Sequence, residues 1–297
     1  MKKLSVVLLA VCAAGVLSAY ETYTEAYKAA NALRSKRDFT AAAAAFVEAG
    51  KLAKSPEQKF SAAFMEGVAL CEGKQYDKGI SLLREALKLA VSANQRVSCQ
   101  FHVGYYLGVE KKYEEAIAEM RKVREFGKGT KNSYVELAEV QIGRCLAALK
   151  KYDEALAAVK DFRAGKNKNV AFQALAVSYD ANKGLKNTEG MQAAVDGLLA
   201  LKELPPNMFF TARRYAFELA RAQKKHTEAL KYADEIVAKE GLNKLLHNHG
   251  VFYKALSYAS LGDRENELAQ WKLLEHCGTA YFEASAARNI KRLTEKK

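Results

Sequence analysis

A short phrase that keeps returning constrains this chain more than any other feature. Lys74-Gln75-Tyr76-Asp77-Lys78-Gly79-Ile80 matches Lys111-Lys112-Tyr113-Glu114-Glu115-Ala116-Ile117 and Lys150-Lys151-Tyr152-Asp153-Glu154-Ala155-Leu156. Upstream, Lys36-Arg37-Asp38-Phe39 fits with an inserted aspartate. Downstream come the weaker Lys186-Asn187-Thr188-Glu189-Gly190-Met191, then Lys225-His226-Thr227-Glu228-Ala229-Leu230 and Gly262-Asp263-Arg264-Glu265-Asn266-Glu267-Leu268. The equivalent positions are 39, 76, 113, 152, 187, 226 and 264, separated by 37, 37, 39, 35, 39 and 38 residues. A period in this range marks a stack of supersecondary units, none of which buries its apolar face alone.

A second regularity runs through the first. Twelve residues separate small side chains in five units: Ala30 and Ala42, Gly67 and Gly79, Gly104 and Ala116, Gly143 and Ala155, Ser178 and Gly190. Helices that cross closely need small residues where their backbones approach. Phe217 and Glu267 break the rule in the sixth and seventh units, which predicts looser or shifted crossings there. Abundant alanine with only three prolines agrees with long helices.

Val103-Gly104-x-x-Leu107, Ile142-Gly143-x-x-Leu146, Ala42-x-x-x-Phe46 and Leu261-Gly262-Asp263 resemble the signatures of the tetratricopeptide repeat family. The resemblance spans nearly the whole chain after residue 19 and is most specific in the second to fourth units. It implies an all-α, right-handed superhelical solenoid of about seven antiparallel helix pairs with a C-terminal capping helix. The chain departs from the family in its period of 35–39 residues, in the bulky first-helix aromatic usually missing and in the absent terminal proline.

Fifteen helices are expected. First helices fall near 21–36, 58–73, 95–110, 133–149, 169–184, 207–224 and 245–261. Second helices fall near 38–53, 75–91, 112–126, 152–164, 187–202, 226–240 and 263–277, and a polar cap near 279–295 carries Arg288, Lys291 and Arg292, with Lys296 just beyond it. Ser55-Pro56, Gly127-Lys128-Gly129, Gly165-Lys166-Asn167, Pro205-Pro206 and Glu240-Gly241 punctuate the array between units. Pro205-Pro206 is the strongest break and marks a place for a slight hinge inside one repeat domain over 20–297.

Residues 1–19 read as an address. Lys2 and Lys3 precede an apolar stretch from Leu4 to Leu17, and Ser18 and Ala19 are small, which is the pattern of a secretory signal peptide. The stretch is shorter than the roughly 18 residues of a membrane span. Cleavage after Ala19 or after Ser18 fits, and Leu9-Ala10-Val11-Cys12 resembles a lipoprotein box apart from Val11. The chain is therefore expected in the periplasm or associated with the outer envelope. Its net charge is +13, and +11 without the leader's two lysines. Anionic lipid, acidic glycan and acidic protein are then the natural counterparts, ahead of nucleic acid.

The sequence offers little for catalysis. It holds no phosphate-cradling glycine loop, nucleophile elbow or HExxH motif, so neither enzyme activity nor a cofactor is expected. His247 and His249 are two apart, which on a helix points them about 200° away from each other and argues against a shared metal ion. His102 and His276 read as partly buried, and His226 stands where other units have tyrosine. Cys71, Cys99, Cys145 and Cys277 remain after the leader, and helix geometry favours buried thiols over bridges. Glu114-Glu115 and Asp153-Glu154 fall in the first turn of a second helix, where they complement its dipole.

Carried over by alignment, the family's groove positions fall on the aromatics Tyr27, Phe64, Phe101, Tyr105, Phe172, Tyr179 and Phe252. Arg34, Arg144, Lys183, Arg214 and Arg221 are interleaved cations, and Asn31 and Asn182 supply amides. Aromatics with arginine carry much of the binding energy at interfaces, and cations suit a segment with acidic groups. The family's lysine–asparagine carboxylate set is not found in register. The expectation is a non-catalytic interaction scaffold of the bacterial cell envelope, with a partner peptide or subunit in a concave aromatic- and arginine-lined groove. The alternative is an envelope-assembly or surface-attachment component touching anionic lipid or glycan through its basic surface.

Overall fold

A computed structural model describes residues 20–295, so the expected leader and Lys296 lie outside the described residues. The described chain is helical: α1 (Tyr23–Ser35), α2 (Phe39–Lys51), α3 (Pro56–Glu72), α4 (Tyr76–Lys88), α5 (Ala93–Val109), α6 (Tyr113–Phe126), α7 (Tyr134–Ala148), α8 (Tyr152–Val159), α9 (Lys168–Gly184), α10 (Thr188–Ala200), α11 (Pro206–Ala222), α12 (His226–Ala238), α13 (Lys244–Leu261), α14 (Arg264–Leu274) and α15 (Ala280–Thr294). A 3₁₀ turn over Lys160–Phe162 ends α8 early, where the sequence predicted helix to 164. Contacts define two compact units, one up to Ala138 and one from Glu139. In each, consecutive helices pack as pairs and pairs pack on their neighbours. Pro205-Pro206 falls inside the second unit, with Pro206 at the first position of α11, where its missing N–H is harmless.

The repeated phrase is a turn. Arg37, Lys74, Lys111, Lys150, Lys186, Lys224 and Gly262 all have φ between 57° and 77°, each two residues before a second helix. The next residue's N–H reaches back to the carbonyl five positions earlier: Asp38 to Leu33 (3.0 Å), Gln75 to Leu70 (2.9 Å), Lys112 to Leu107 (2.9 Å), Lys151 to Leu146 (2.9 Å), Asn187 to Asn182 (2.9 Å), Lys225 to Ala220 (2.9 Å) and Asp263 to Tyr258 (3.0 Å). This is the Schellman closure, which satisfies an orphan carbonyl of the first helix and turns the chain back. Left-handed backbone costs a side-chain-bearing residue roughly 1–2 kcal/mol. Six of the seven turns hold lysine or arginine there nonetheless. First helices start as regularly: Thr22, Ser55 and Ser92 cap α1, α3 and α5 in reciprocal boxes with Glu25, Gln58 and Gln95.

The small pairs sit where the paired helices cross. Ala30 and Ala42 are fully buried. A Cβ on Gly79 would lie 2.7 Å from the Gly67 carbonyl, one on Gly104 3.3 Å from the Ala116 carbonyl, and one on Gly143 3.3 Å from the Ala155 carbonyl. The fifth unit corrects the sequence register. Its left-handed residue is Lys186 and α10 starts at Thr188, one later than the phrase suggested, so Gly190 lies against the Asn182 amide rather than opposite Ser178. The two exceptions are buried. Phe217 stacks on Tyr253 of α13, ring centroids 4.2 Å apart. Glu267 accepts from the Trp271 indole at 3.0 Å and pairs with Arg292 of the cap. Arg292 is thus tied into the fold, while Arg288 and Lys291 are exposed.

Candidate functional site

Counting back from each left-handed residue puts every first helix in one register. In the first unit the row ten residues back is Tyr27, Phe64 and Phe101, and the row six back is Asn31, Val68 and Tyr105. Tyr27 and Phe64 are half-buried, Phe101 is buried, and Tyr105 is 38% exposed. Tyr27 meets Phe46 edge-on at 5.3 Å, and Phe64 meets His102 at 5.0 Å. Asn31 donates to its own helix at the Tyr27 carbonyl (2.9 Å). Arg34 is the unit's one cation among the expected groove residues, and its guanidinium clasps the Glu72 carboxylate at 2.6 and 2.7 Å. The two line an open pocket of about 430 Å³ with Ser35, Arg37 and Phe39.

The second unit carries the charge. Six residues back stand Arg144, Asp180 and Glu218 on successive first helices, and three back stand Lys183 and Arg221. Arg144 is exposed, with the Gln173 amide at 3.3 Å, and it lines a pocket of about 320 Å³ with Ala147, Ala148, Tyr152, Val177 and Asp180. Glu218 receives Arg214 at 2.7 Å and Lys183 at 3.2 Å. Asp180 accepts the Tyr215 hydroxyl at 3.1 Å. The Arg214 guanidinium lies over the Tyr215 ring at 4.5 Å, and exposed Arg221 over Phe217 at 5.7 Å.

The rings expected among these cations are largely inside. Phe172 is 6% and Tyr179 1% exposed, with Tyr179 against Tyr215 at 4.2 Å. Burial pushes the Tyr179 hydroxyl up to about 12. Half-buried Phe252 packs among Trp271, Tyr281 and Phe282. Asn182 is buried and bonded to the Ser178 carbonyl at 2.8 Å. The expected interleaving therefore separates by unit, with stacked rings on the first and mixed charge on the second. The sequence reading missed the carboxylates Glu72, Asp180 and Glu218. Alignment on the left-handed residues would have found the last two, because they share the Arg144 row.

The remaining candidates have structural places. His102 is ringed by Phe64, Phe101, Tyr106 and Tyr134, and burial holds its pKa below the ordinary value. His276 is exposed, against the expectation of partial burial, because it lies beyond the end of α14. The four cysteines among the described residues are buried free thiols. Burial pushes Cys71 and Cys99 up to about 12 and Cys145 to about 11, so these three are not thiolates at neutral pH. No helix of the described residues is long and apolar enough to cross a membrane.

No protein-family model matches the sequence, and no curated protein matches it. Solved structures do match the fold. A tetratricopeptide repeat protein from Parabacteroides merdae is 11% identical, with 92% of this chain and 99% of that one covered at a TM-score of 0.58. The apo form of RapI is 12% identical over 92% of this chain and 82% of its own, at 0.64. PilW, described as a widely conserved type IV pilus biogenesis factor, is 17% identical over 78% and 99%, at 0.57. At these identities the likeness establishes the architecture, helices in sequential pairs of the tetratricopeptide kind.

Proposed function

We propose that this protein is a non-catalytic interaction scaffold of the bacterial cell envelope that holds a segment of a partner protein against the first helices of its second unit. The observation that carries the reading is the charged register of α7, α9 and α11. Arg144 is exposed there in the same row as Asp180 and Glu218, and Lys183 and Arg221 are exposed at one-repeat spacing in the row three residues back. Rigid helices hold these groups in place before a partner arrives, which lowers the ordering cost of binding. Because carboxylates stand among the cations, the partner segment carries acidic groups for Arg144 and Arg221 and basic or neutral donors opposite Asp180. Charge of both signs fixes register and rejects wrong partners more than it adds affinity.

Export rests on the leader pattern in residues 1–19. Fractionation of a C-terminally tagged chain tests it, with recovery in the cytoplasm as the contrary result. PilW, described as a type IV pilus biogenesis factor, shares this architecture, which supports the reading. The partner is tested by affinity capture from envelope extracts with wild type and with the paired reversal Arg144→Glu and Arg221→Glu. The reading predicts a protein captured by wild type and lost on reversal. Equal capture by both contradicts it.

A further inference from the structure

Arg144 on α7 and Asp180 on α9 share a cavity without meeting. Each stands six residues before the left-handed residue of its repeat, and both line the open cavity of about 320 Å³. Among the described residues, no other neighbouring first helices of one unit carry opposite charges in this row. It reads Asn31, Val68 and Tyr105 in the first unit, then Arg144, Asp180, Glu218 and Leu256 in the second. The space exists because Ala147 and Ala148 end α7, where α1 has Arg34 and Ser35 and α11 has Arg221 and Ala222. Val177 and the ring of Tyr152, the first residue of α8, complete the wall. The ring is fixed by its seat on Gly184, where a Cβ would overlap it.

Neither charge finds a counter-ion within the described residues. Arg144 has one polar contact, the Gln173 amide oxygen at 3.3 Å, which leaves most of its fork free. Asp180 accepts the Tyr215 hydroxyl through Oδ2 at 3.1 Å, and its other oxygen remains for a second donor. The nearby cations are committed elsewhere, Lys183 and Arg214 both to Glu218 at 3.2 and 2.7 Å.

The geometry points to a binding site for a free α-amino acid with an apolar side chain, its carboxylate on Arg144 and its ammonium on Asp180. Simpler occupants fit worse. An anion is repelled by Asp180 and a cation by Arg144. An uncharged molecule displaces water from both charges and gives neither a partner. A zwitterion answers both at once, and a carboxylate matches the planar guanidinium fork. Size agrees, since the volume lies at the lower end for ligand pockets and leaves room for one small molecule. The wall between the charges is apolar at Ala147, Ala148 and Val177, which suits an aliphatic side chain.

This inference goes beyond the scaffold reading, because the ligand is small and binds the chain without a partner protein. Calorimetric titration of the full chain with L-alanine, L-valine and L-leucine at neutral pH is the test. The N-acetyl and amide derivatives of the tightest of the three serve as probes that keep one charge each. Saturable binding of at least one amino acid is expected, with both derivatives weaker by roughly tenfold or more. Asp180→Asn keeps an acceptor for Tyr215, and Arg144→Gln falls at an exposed position; each should weaken the amino acid by a similar factor. Asp180→Asn should also narrow the gap to the N-acetyl derivative, and Arg144→Gln the gap to the amide, because the repelling charge is gone. Failure of all three amino acids to bind overturns the inference. So does a derivative that binds as tightly as its parent, the mark of a site for one charge. Binding that both substitutions leave intact overturns it as well, since the ligand then sits elsewhere.

Discussion

Arg34 on α1 and Glu72 on α3 stand 38 residues apart and join in a two-pronged ion pair, with Nε and Nη2 each donating to one carboxylate oxygen. The pair couples two consecutive repeats at the ends of their first helices. A fork of this kind is lost on Arg34→Lys, because an ammonium cannot reproduce it. A double-mutant cycle of Arg34→Ala and Glu72→Ala in urea unfolding should show a coupling of about 1 kcal/mol, the upper end for a partly exposed pair. Capture of a partner by the Arg34→Ala protein should match wild type. Loss of capture without loss of stability would make Arg34 a contact residue instead.

The left-handed turns give a second prediction. Lys74→Gly and Lys111→Gly should each raise stability by about 0.5–1 kcal/mol, because the relief of backbone strain exceeds the entropy glycine adds to the unfolded chain. Gly262→Ala at φ 77° should lower it by about 1 kcal/mol. Urea midpoints measure all three, and a fall for both lysine variants would refute the strain argument.

Asn248 occupies the register position filled by Phe60, Val97, Phe172 and Phe210 in other repeats, and it is buried with no partner for its side-chain nitrogen. A buried unpaired donor costs about 1–3 kcal/mol. Asn248→Leu should therefore stabilise the fold by about 1 kcal/mol. A destabilised variant in calorimetry would show that the amide has a use that packing does not reveal.

His102 gives a pH dependence. Burial, opposed by the bond to the Ser98 carbonyl, holds its folded pKa below the ordinary 6.5. Its neutral form belongs to the folded state, so the contribution is full above pH 6.5 and is lost as pH falls below that value toward the folded pKa. His249 is lowered in the same way, by burial and by Arg214. Stability should drop as pH falls below 6.5, and His102→Phe should remove part of the drop, the remainder belonging to His249. An unchanged slope in His102→Phe would remove His102 from the account.

The helices were legible because the turn is. A basic residue, an aromatic and a small residue at fixed spacing mark the Schellman closure and the crossing behind it, and helix starts and most ends fell within two residues of the expected ones. Three ends fell further off: α4 stopped at Lys88 and α14 at Leu274, each three residues short, and α8 ended at Val159 in a 3₁₀ turn. The fifth unit slipped by one because Asn187-Thr188 replaces the usual tyrosine. Side-chain fate was less legible. Phe101, Phe172 and Tyr179 share helices with Tyr105 and Lys183, yet the packing of neighbouring pairs turns the first three inward. Glu72 could not be assigned to Arg34 without a common register, since it lies 38 residues away, whereas Glu218 answers Arg214 from one turn along the same helix.

The central claim is that the first-helix face of the second unit holds a partner protein. Site-specific photocrosslinking in cells tests it most directly, with the probe at Lys183 or Arg221 and, for comparison, at Lys160 or Lys231 on exposed positions of the paired elements. The account predicts one reproducible protein adduct from Lys183 and Arg221 and none from the comparison positions. Adducts from Lys160 or Lys231 alone, or no protein adduct at any position, would contradict it.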